Sequence, residues 1–376
     1  MSNTLCVVSP GRLAVADGGR VQVDPKTVAG MQRYAATWPG GVHFVAQRGQ
    51  FDTRGQPFGW PRPEDLPFDV SIVDDVEGAV RRLAPALVLA PLEVERAPLL
   101  DQATPCVLVC DFPLRVRWEN TRLDPGIGAT GTLRTAIGLA RRAAGVRAMI
   151  RKADGLHCNG PDTFAAYGAL SRSALHYMDT RVTSAQVASA SGTGAPRDDV
   201  LRLAFSGRWI EQKGVLDAVA VTERLHADGV PVHLTLLGGG SLEQRLRDRA
   251  HAAVTVRGRL DFDSEWVPFV RDHVDVMVLP HPQGDSASTF LESMSSGTPV
   301  AGYANRYWSR LHAESRGGWT SQTADVGALA ALLARLAQDA DEVQRVRRAG
   351  LNFGAQHTFE AEFDRRVQHL RSVLDG

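Results

Sequence analysis

Short apolar runs recur along the chain at 5–9, 42–46, 69–73, 86–90, 106–110 and 155–158, and again at 201–205, 232–237, 254–256, 274–279 and 299–302. Strands that stay apolar on successive residues, without alternation, are covered on both faces, as in parallel sheets. Helix-period stretches separate many of these runs, and strands alternating with helices build α/β units. No other feature constrains the fold as much, and it predicts parallel sheets flanked by helices. With 376 residues the chain exceeds one ordinary core, so the two sets of runs read as two α/β domains.

Local punctuation sets the expected boundaries. Residues 13–16 and 20–23 flank Asp17-Gly18-Gly19 and read as a β-hairpin. Asp24-Pro25 then reads as the N-cap and first residue of a helix running to about Trp38. The stretch 184–199, SAQVASASGTGAPRDD, is small, polar and Gly-rich, as linkers are. The domains are therefore expected at 1–185 and 201–356, joined by 186–200. A last helix over roughly 358–374 has Phe359, Phe363, Val367, Leu370 and Val373 on one face. The tail 357–376 is expected to pack back on the N-terminal domain.

Composition narrows the function classes. The formal net charge is zero, with 44% hydrophobic and 22% charged residues, so nothing pulls the chain toward nucleic acid. Lys26, Lys152 and Lys213 are the only lysines among mostly arginine cations, so local Arg pairs carry little weight. Arg141, Arg142, Arg147, Arg151 and Lys152 read first as a solvated helix face and second as a weak contact with anionic lipid. Cys6, Cys106, Cys110 and Cys158 lack CxxC spacing. The last three lie in or beside apolar runs as small hydrophobes, which implies a reduced compartment. Residues 1–9 show no secretory pattern, and no apolar stretch approaches about 18 residues. The expected location is cytoplasmic, at most membrane-peripheral.

Two motifs carry chemistry. After the run 201–205 comes SGRWIEQKG, then a helical stripe of Val215, Ala218, Val219, Thr222 and Leu225. Gly207 and Arg208 thus stand at a strand's carboxyl end, and Lys213 opens a helix, where ligands of open α/β sheets bind. Two cations beside free helix amides would clamp a diphosphate, or they are simply solvated loop residues. After the run 274–279 comes HPQGDSASTFLESMSSGTPV. Gly284, Asp285, Ser286, Ser288 and Thr289 form a small-residue loop that lets a ligand approach the backbone of the following helix. Gly297 stops that helix in the left-handed conformation. Glu292 would accept two hydrogen bonds from a ribose diol. Taken alone, Thr289-Phe290-Leu291-Glu292 favours the rival reading, a capping box.

SGRWIEQKG, LTLLGGG, VRGRL and GDSASTFLESMSSGTPV occur in order over about 201–303. Together they resemble the retaining glycosyltransferases of family 4. The resemblance implies a GT-B fold: two Rossmann-like domains with parallel sheets facing across a cleft. It implies that Arg208 and Lys213 bind the donor diphosphate and that Glu292 binds the nucleotide ribose. The family has a further Glu eight residues before the ribose-binding one, on the donor sugar. Here that position is Gly284, and Asp285, Ser286 or backbone amides would do its work. The implied donor is a UDP- or GDP-linked sugar with no cofactor required. The implied acceptor is a glycan, a lipid-linked molecule or a small molecule.

Other candidates are weaker. Gly239 lies in Gly238-Gly239-Gly240, near the donor by resemblance or only a tight turn. Leu260 ends Arg257-Gly258-Arg259-Leu260, whose backbone would meet the base. Asp261-Phe262-Asp263 matches a metal-binding DxD, but it leads straight into a helical segment and reads as a cap. No metal site is expected. Asp111 follows the run 106–110, where relatives place a His-Asp pair facing the acceptor, and Cys110 takes the His position. Asp111 would orient the acceptor hydroxyl or cap its loop. Gly18-Gly19 is a glycine loop under the donor phosphates or the hairpin turn. The expected reaction is hexosyl transfer with retention. Its rivals are a sugar-nucleotide 2-epimerase, a degenerate partner subunit and a two-domain solute receptor.

Overall fold

The computed structural model describes residues 3–50, 58–191, 199–249 and 251–376. Its contacts divide the chain into two units. The first comprises Met1–Leu114, Leu133–Tyr177 and Glu360–Gly376, and the second Arg115–Thr132 and Met178–Phe359.

The first unit holds β1 (Leu5–Leu13), β2 (Val42–Arg48), β3 (Asp69–Val73), β4 (Leu87–Pro91), β5 (Cys106–Cys110), β6 (Gly155–Asn159) and β7 (Ala174–Tyr177). They form one sheet in the order β3-β2-β1-β4-β5-β6-β7, with every pairing parallel. Cys6, Cys106 and Cys158 are buried thiols, and burial pushes each up to about 12. Cys106 and Cys158, with Cys110 also buried, behave as the small hydrophobes the sequence suggests, and Cys6 does the same.

The predicted hairpin shrinks to one antiparallel bridge, Val15 with Val21, around a 3-10 turn at Asp17–Gly19. Leu13, the first residue of its first arm, ends β1, which resumes pairing with β2 at Arg12 and Leu13 after a register shift. The helix that follows, Pro25–Thr37, starts as predicted, with Asp24 accepting a hydrogen bond from the Thr27 amide at 2.9 Å. The C-terminal helix Phe359–Asp375 buries Phe363, Val367 and Leu370. Phe363 meets the Tyr34 ring edge-on at 5.0 Å. His369 on this helix contacts buried His157 at 3.1 Å and the Ser173 hydroxyl at 3.0 Å.

The second unit holds β8 (Leu201–Arg208), β9 (Val232–Gly239), β10 (Val254–Gly258), β11 (Val276–Leu279), β12 (Val300–Tyr303) and β13 (Gly318–Ser321). Their order is β10-β9-β8-β11-β12-β13, again all parallel. The apolar runs now have a cause. In β11, Val276 and Val278 join one core cluster and Met277 and Leu279 another, on the opposite face. Helix Val215–Ala227 contributes Ala218 and Leu225 to the first cluster, and helix Thr289–Ser295 contributes Phe290 and Met294 to the second. With all four β11 side chains at most 1% exposed, each contributes about 1.5–3 kcal/mol by burial.

Residues 184–191 of the predicted linker form a helix instead, Ser184–Ser191, because Val187 and Ala190 bury beside Val182 and Leu351. Residues 192–198 lie outside the described residues. No helix among the described residues is long and apolar enough to cross a membrane.

Candidate functional site

Strand order in the second unit reverses between β8 and β11, which pair directly. Such switch points open a crevice beyond the carboxyl ends of the strands. The two predicted motifs leave these two strands, so the sheet brings them together.

Beyond β8 the chain makes a 3-10 turn, Glu211–Lys213, and passes through Gly214 into helix Val215–Ala227. Gly214 has φ 65, and a Cβ there would lie 2.0 Å from the Pro280 carbonyl oxygen. Only glycine allows both the left-handed backbone and this approach. The approach sets Lys213 against the loop after β11, where its Nζ donates to Asp285 Oδ2 at 2.6 Å. Lys213 is 6% exposed. Burial lowers its pKa first, nearby Arg208 adds to this, and Asp285 opposes them. Burial pushes the Asp285 carboxyl up, yet Lys213, His281 and its hydrogen bonds outweigh it and hold it below the usual range. Arg208 is half-buried and makes no side-chain hydrogen bond or ion pair among the described residues.

The loop after β11 also holds His281, 1% exposed, its Nδ1 3.9 Å from Asp285 Oδ1. Burial foremost, then Lys213, drops its pKa to about 3, so the imidazole is neutral. Among the described residues neither ring nitrogen has a hydrogen-bond partner, nor has Asp285 Oδ1. Gln283 ties the loop to β8's turn by donating to the Gln212 carbonyl at 3.2 Å. The Gly284 amide donates to Glu119 Oε2 at 2.9 Å. Glu119 sits on helix Leu114–Arg122, in the segment Arg115–Thr132 of this same unit.

Glu292 is 1% exposed, and its carboxylate accepts from Arg181 Nε at 2.9 Å and Nη2 at 3.2 Å. Arg181 lies 3.6 Å over the Phe262 ring. The predicted capping box is not formed. Ser288 precedes helix Thr289–Ser295 with helical φ −58 and ψ −26, and no side chain caps the first turn. The Glu292 carboxylate is held by Arg181 instead. The helix ends as predicted, with Gly297 at φ 81.

This switch point, built from residues 206–214 and 281–292, falls inside a family match. Residues 201–339 match the family described as glycosyl transferases group 1. Part of the chain is also 37% identical over 105 residues to 2-deoxystreptamine N-acetyl-D-glucosaminyltransferase of Streptomyces fradiae. That match spans 26% of this chain and 24% of the relative's length. Solved structures share the fold along the whole chain. HepE of Anabaena, solved in complex with UDP and glucose, is 13% identical with a TM-score of 0.62, covering 99% of this chain and 100% of that one. Sucrose-phosphate synthase of Thermosynechococcus elongatus is 15% identical, with a TM-score of 0.67 over 99% of each chain. Trehalose 6-phosphate synthase of Burkholderia multivorans is 14% identical, with a TM-score of 0.67 over 100% of this chain and 99% of that one. The fold is thus that of the GT-B glycosyltransferases, two parallel-sheet Rossmann-like units.

Within the group 1 segment the remaining candidates separate. Gly239 pairs with Arg208 at the end of β9, and a Cβ there would approach Arg259 Nε to 3.2 Å. Its neighbour Gly238 would place a Cβ 1.9 Å from the Gly207 carbonyl oxygen, so close strand packing by itself demands glycine there. Leu260 packs half-buried against the core of the unit. Ser286, Ser288 and Thr289 are half-buried along the loop. Asp261 caps its helical turn, accepting from the Ser264 amide at 3.0 Å, as predicted. Among the described residues no group of three or more His, Cys, Asp or Glu is placed to hold a metal ion.

Outside the segment, Asp111 is an exposed loop residue after β5 in the first unit, and its carbonyl accepts from Thr163 at 3.4 Å. Sequence reasoning missed Arg181, Glu119, His281 and Gln283. The last two had a signal, polar residues directly after a buried strand in HPQGD. The first two had none, because they meet the site only through packing.

Proposed function

We propose that this chain is a retaining glycosyltransferase of family 4. It moves a hexosyl group from a nucleoside diphosphate sugar to an acceptor hydroxyl. The observation that carries this reading is the buried Lys213, paired with Asp285 at 2.6 Å beside Arg208 at the sheet's switch point. Two cations converging where the sheet opens suit a group that gains negative charge as it leaves.

In the reaction, the bond from the anomeric carbon to the diphosphate oxygen breaks. A bond to the acceptor oxygen forms on the same face, and the acceptor proton passes to the departing diphosphate. Arg208 and Lys213 stabilise the charge on that diphosphate. Gly207, Gly239, Leu260 and the loop Gly284–Thr289 line the donor, and Asp285 alternates between countering Lys213 and accepting from the sugar. Glu292 accepts from the ribose diol, with Arg181 as the residue that positions it. Asp111 orients the acceptor hydroxyl. Protein side chains and the donor's own leaving group suffice, with no resident cofactor.

HepE was solved with UDP and glucose, so UDP-linked donors come first in a screen. The Streptomyces relative's name makes N-acetylglucosaminyl transfer to an aminocyclitol such as 2-deoxystreptamine the first pairing to try. The test measures diphosphate release from UDP- and GDP-sugars with a panel of acceptors. Arg208→Ala should lower kcat by about 10²–10³ while leaving the unfolding midpoint nearly unchanged. Failure of the wild-type protein to bind any nucleoside diphosphate would refute the reading, as would full activity in that variant.

A further inference from the structure

We propose that Glu119 is a second carboxylate, beside Asp285, that reads the transferred sugar. This rests on the nucleotide-sugar reading of residues 206–214 and 281–292. Glu119 lies outside residues 201–339, the span of the family match. It nonetheless reaches the loop after β11, where its Oε2 accepts from the Gly284 amide at 2.9 Å. Its Oε1 has no hydrogen-bond partner among the described residues. A carboxyl group held by one oxygen, with the other open, is an acceptor placed for a hydroxyl.

Glycine at 284 fits this role. A Cβ there would lie 3.4 Å from the Tyr307 amide nitrogen and 3.7 Å from both the Arg306 nitrogen and Glu119 Oε2. These are ordinary contacts, so sterics alone do not demand glycine. A side chain at 284 would start beside the place Glu119 already fills.

Charge differs among the partners of the loop. Lys213 donates to Asp285 at 2.6 Å, and a cation there suits an anion. Glu119 meets the Gly284 amide instead and would repel one. On this loop Asp285 Oδ1 and both ring nitrogens of His281 have no hydrogen-bond partner among the described residues. A neutral imidazole and two carboxylates together ask for a neutral ligand that both donates and accepts. Sugar hydroxyls do both.

The test titrates UDP, GDP, UDP-glucose, UDP-N-acetylglucosamine and GDP-mannose into the full-length protein by calorimetry. Glu119→Ala should leave UDP or GDP affinity within about twofold of wild type. It should remove the extra affinity contributed by the sugar, about tenfold, and flatten the preference among donors. Glu119→Gln keeps the acceptor for the Gly284 amide but loses the charge, and should fall between. Gly284→Glu in the Glu119→Ala background should restore the sugar-dependent affinity, because its side chain starts 3.7 Å from the Glu119 carboxylate oxygen. The inference is overturned if Glu119→Ala weakens the diphosphate and the sugar nucleotide equally, or if Glu119→Gln behaves as wild type. It is also overturned, with the donor-site reading intact, if a bare diphosphate binds wild type as tightly as every sugar nucleotide. No binding of any nucleoside diphosphate overturns both readings.

Discussion

Arg181→Ala offers the most demanding test of how the site is held. Glu292 is 1% exposed, while the Arg181 side chain is 37% exposed. Breaking a fully buried ion pair costs about 3–5 kcal/mol, because the remaining charge is stranded. A fully exposed pair contributes about 0–1 kcal/mol. This pair has one buried partner and one open to water, so the ionic loss falls between, at about 2 kcal/mol. Losing the guanidinium above Phe262 adds about 0.5–1 kcal/mol. Arg181→Ala should therefore destabilise the second unit by about 3 kcal/mol. A double-mutant cycle with Glu292→Ala should show coupling of about 1–3 kcal/mol, because the double variant strands no charge. Urea denaturation followed by tryptophan fluorescence reads this, since Trp266 stacks on Phe262 with ring centroids 5.2 Å apart. The same variant should bind UDP about tenfold more weakly if Arg181 orients Glu292. Coupling below about 0.5 kcal/mol would refute the energetic argument. Tighter UDP binding by Arg181→Ala would show that Arg181 competes with the ribose rather than preparing its partner.

Other consequences are as direct. Gly214→Ala places a methyl group 2.0 Å from the Pro280 oxygen at φ 65, and should cost more than about 2 kcal/mol in a denaturation curve and abolish turnover. His281, beside Lys213, Arg208 and Asp285, and His157, beside Arg366 and His369, are buried imidazoles whose pKa values lie below the ordinary value. Unfolding frees both to take up protons below about pH 6.5, so stability should fall with pH by about 1.4 kcal/mol per unit for each. For His281 that loss continues to about pH 3, where the native imidazole itself protonates. Denaturation at several pH values should show a shallower slope in His281→Asn and His157→Asn, and an unchanged slope would exclude the assignment. Cys6, Cys106 and Cys158, pushed up to about 12 by burial, should resist iodoacetamide at pH 8 in the native state. Mass spectrometry showing their rapid labelling would contradict this.

The strands were legible wherever both faces are buried. β11 reads VMVL because each residue meets a core, whichever way it points. β7 and β13 escaped notice for the opposite reason. Their sequences, ALHY and GWTS, mix polar and apolar residues, so no continuous apolar run marks them. The helix stop at Gly297 and the caps at Asp24 and Asp261 were legible because each is settled within a few residues.

The candidate site divides along the same line. Arg208, Lys213 and the loop 284–289 were visible as strand ends feeding helices, a pattern written in local order. The partners of that loop were not. Arg181 reaches Glu292 from 111 residues away, and Glu119 reaches Gly284 from 165. Glu292 itself satisfied a local capping pattern that the folded chain does not use. Periodicity and capping depend on neighbours a few residues apart, so a sequence displays them. Which carboxylate faces which cation across a packed unit depends on how helices and strands settle against one another, and only the tertiary structure decided that.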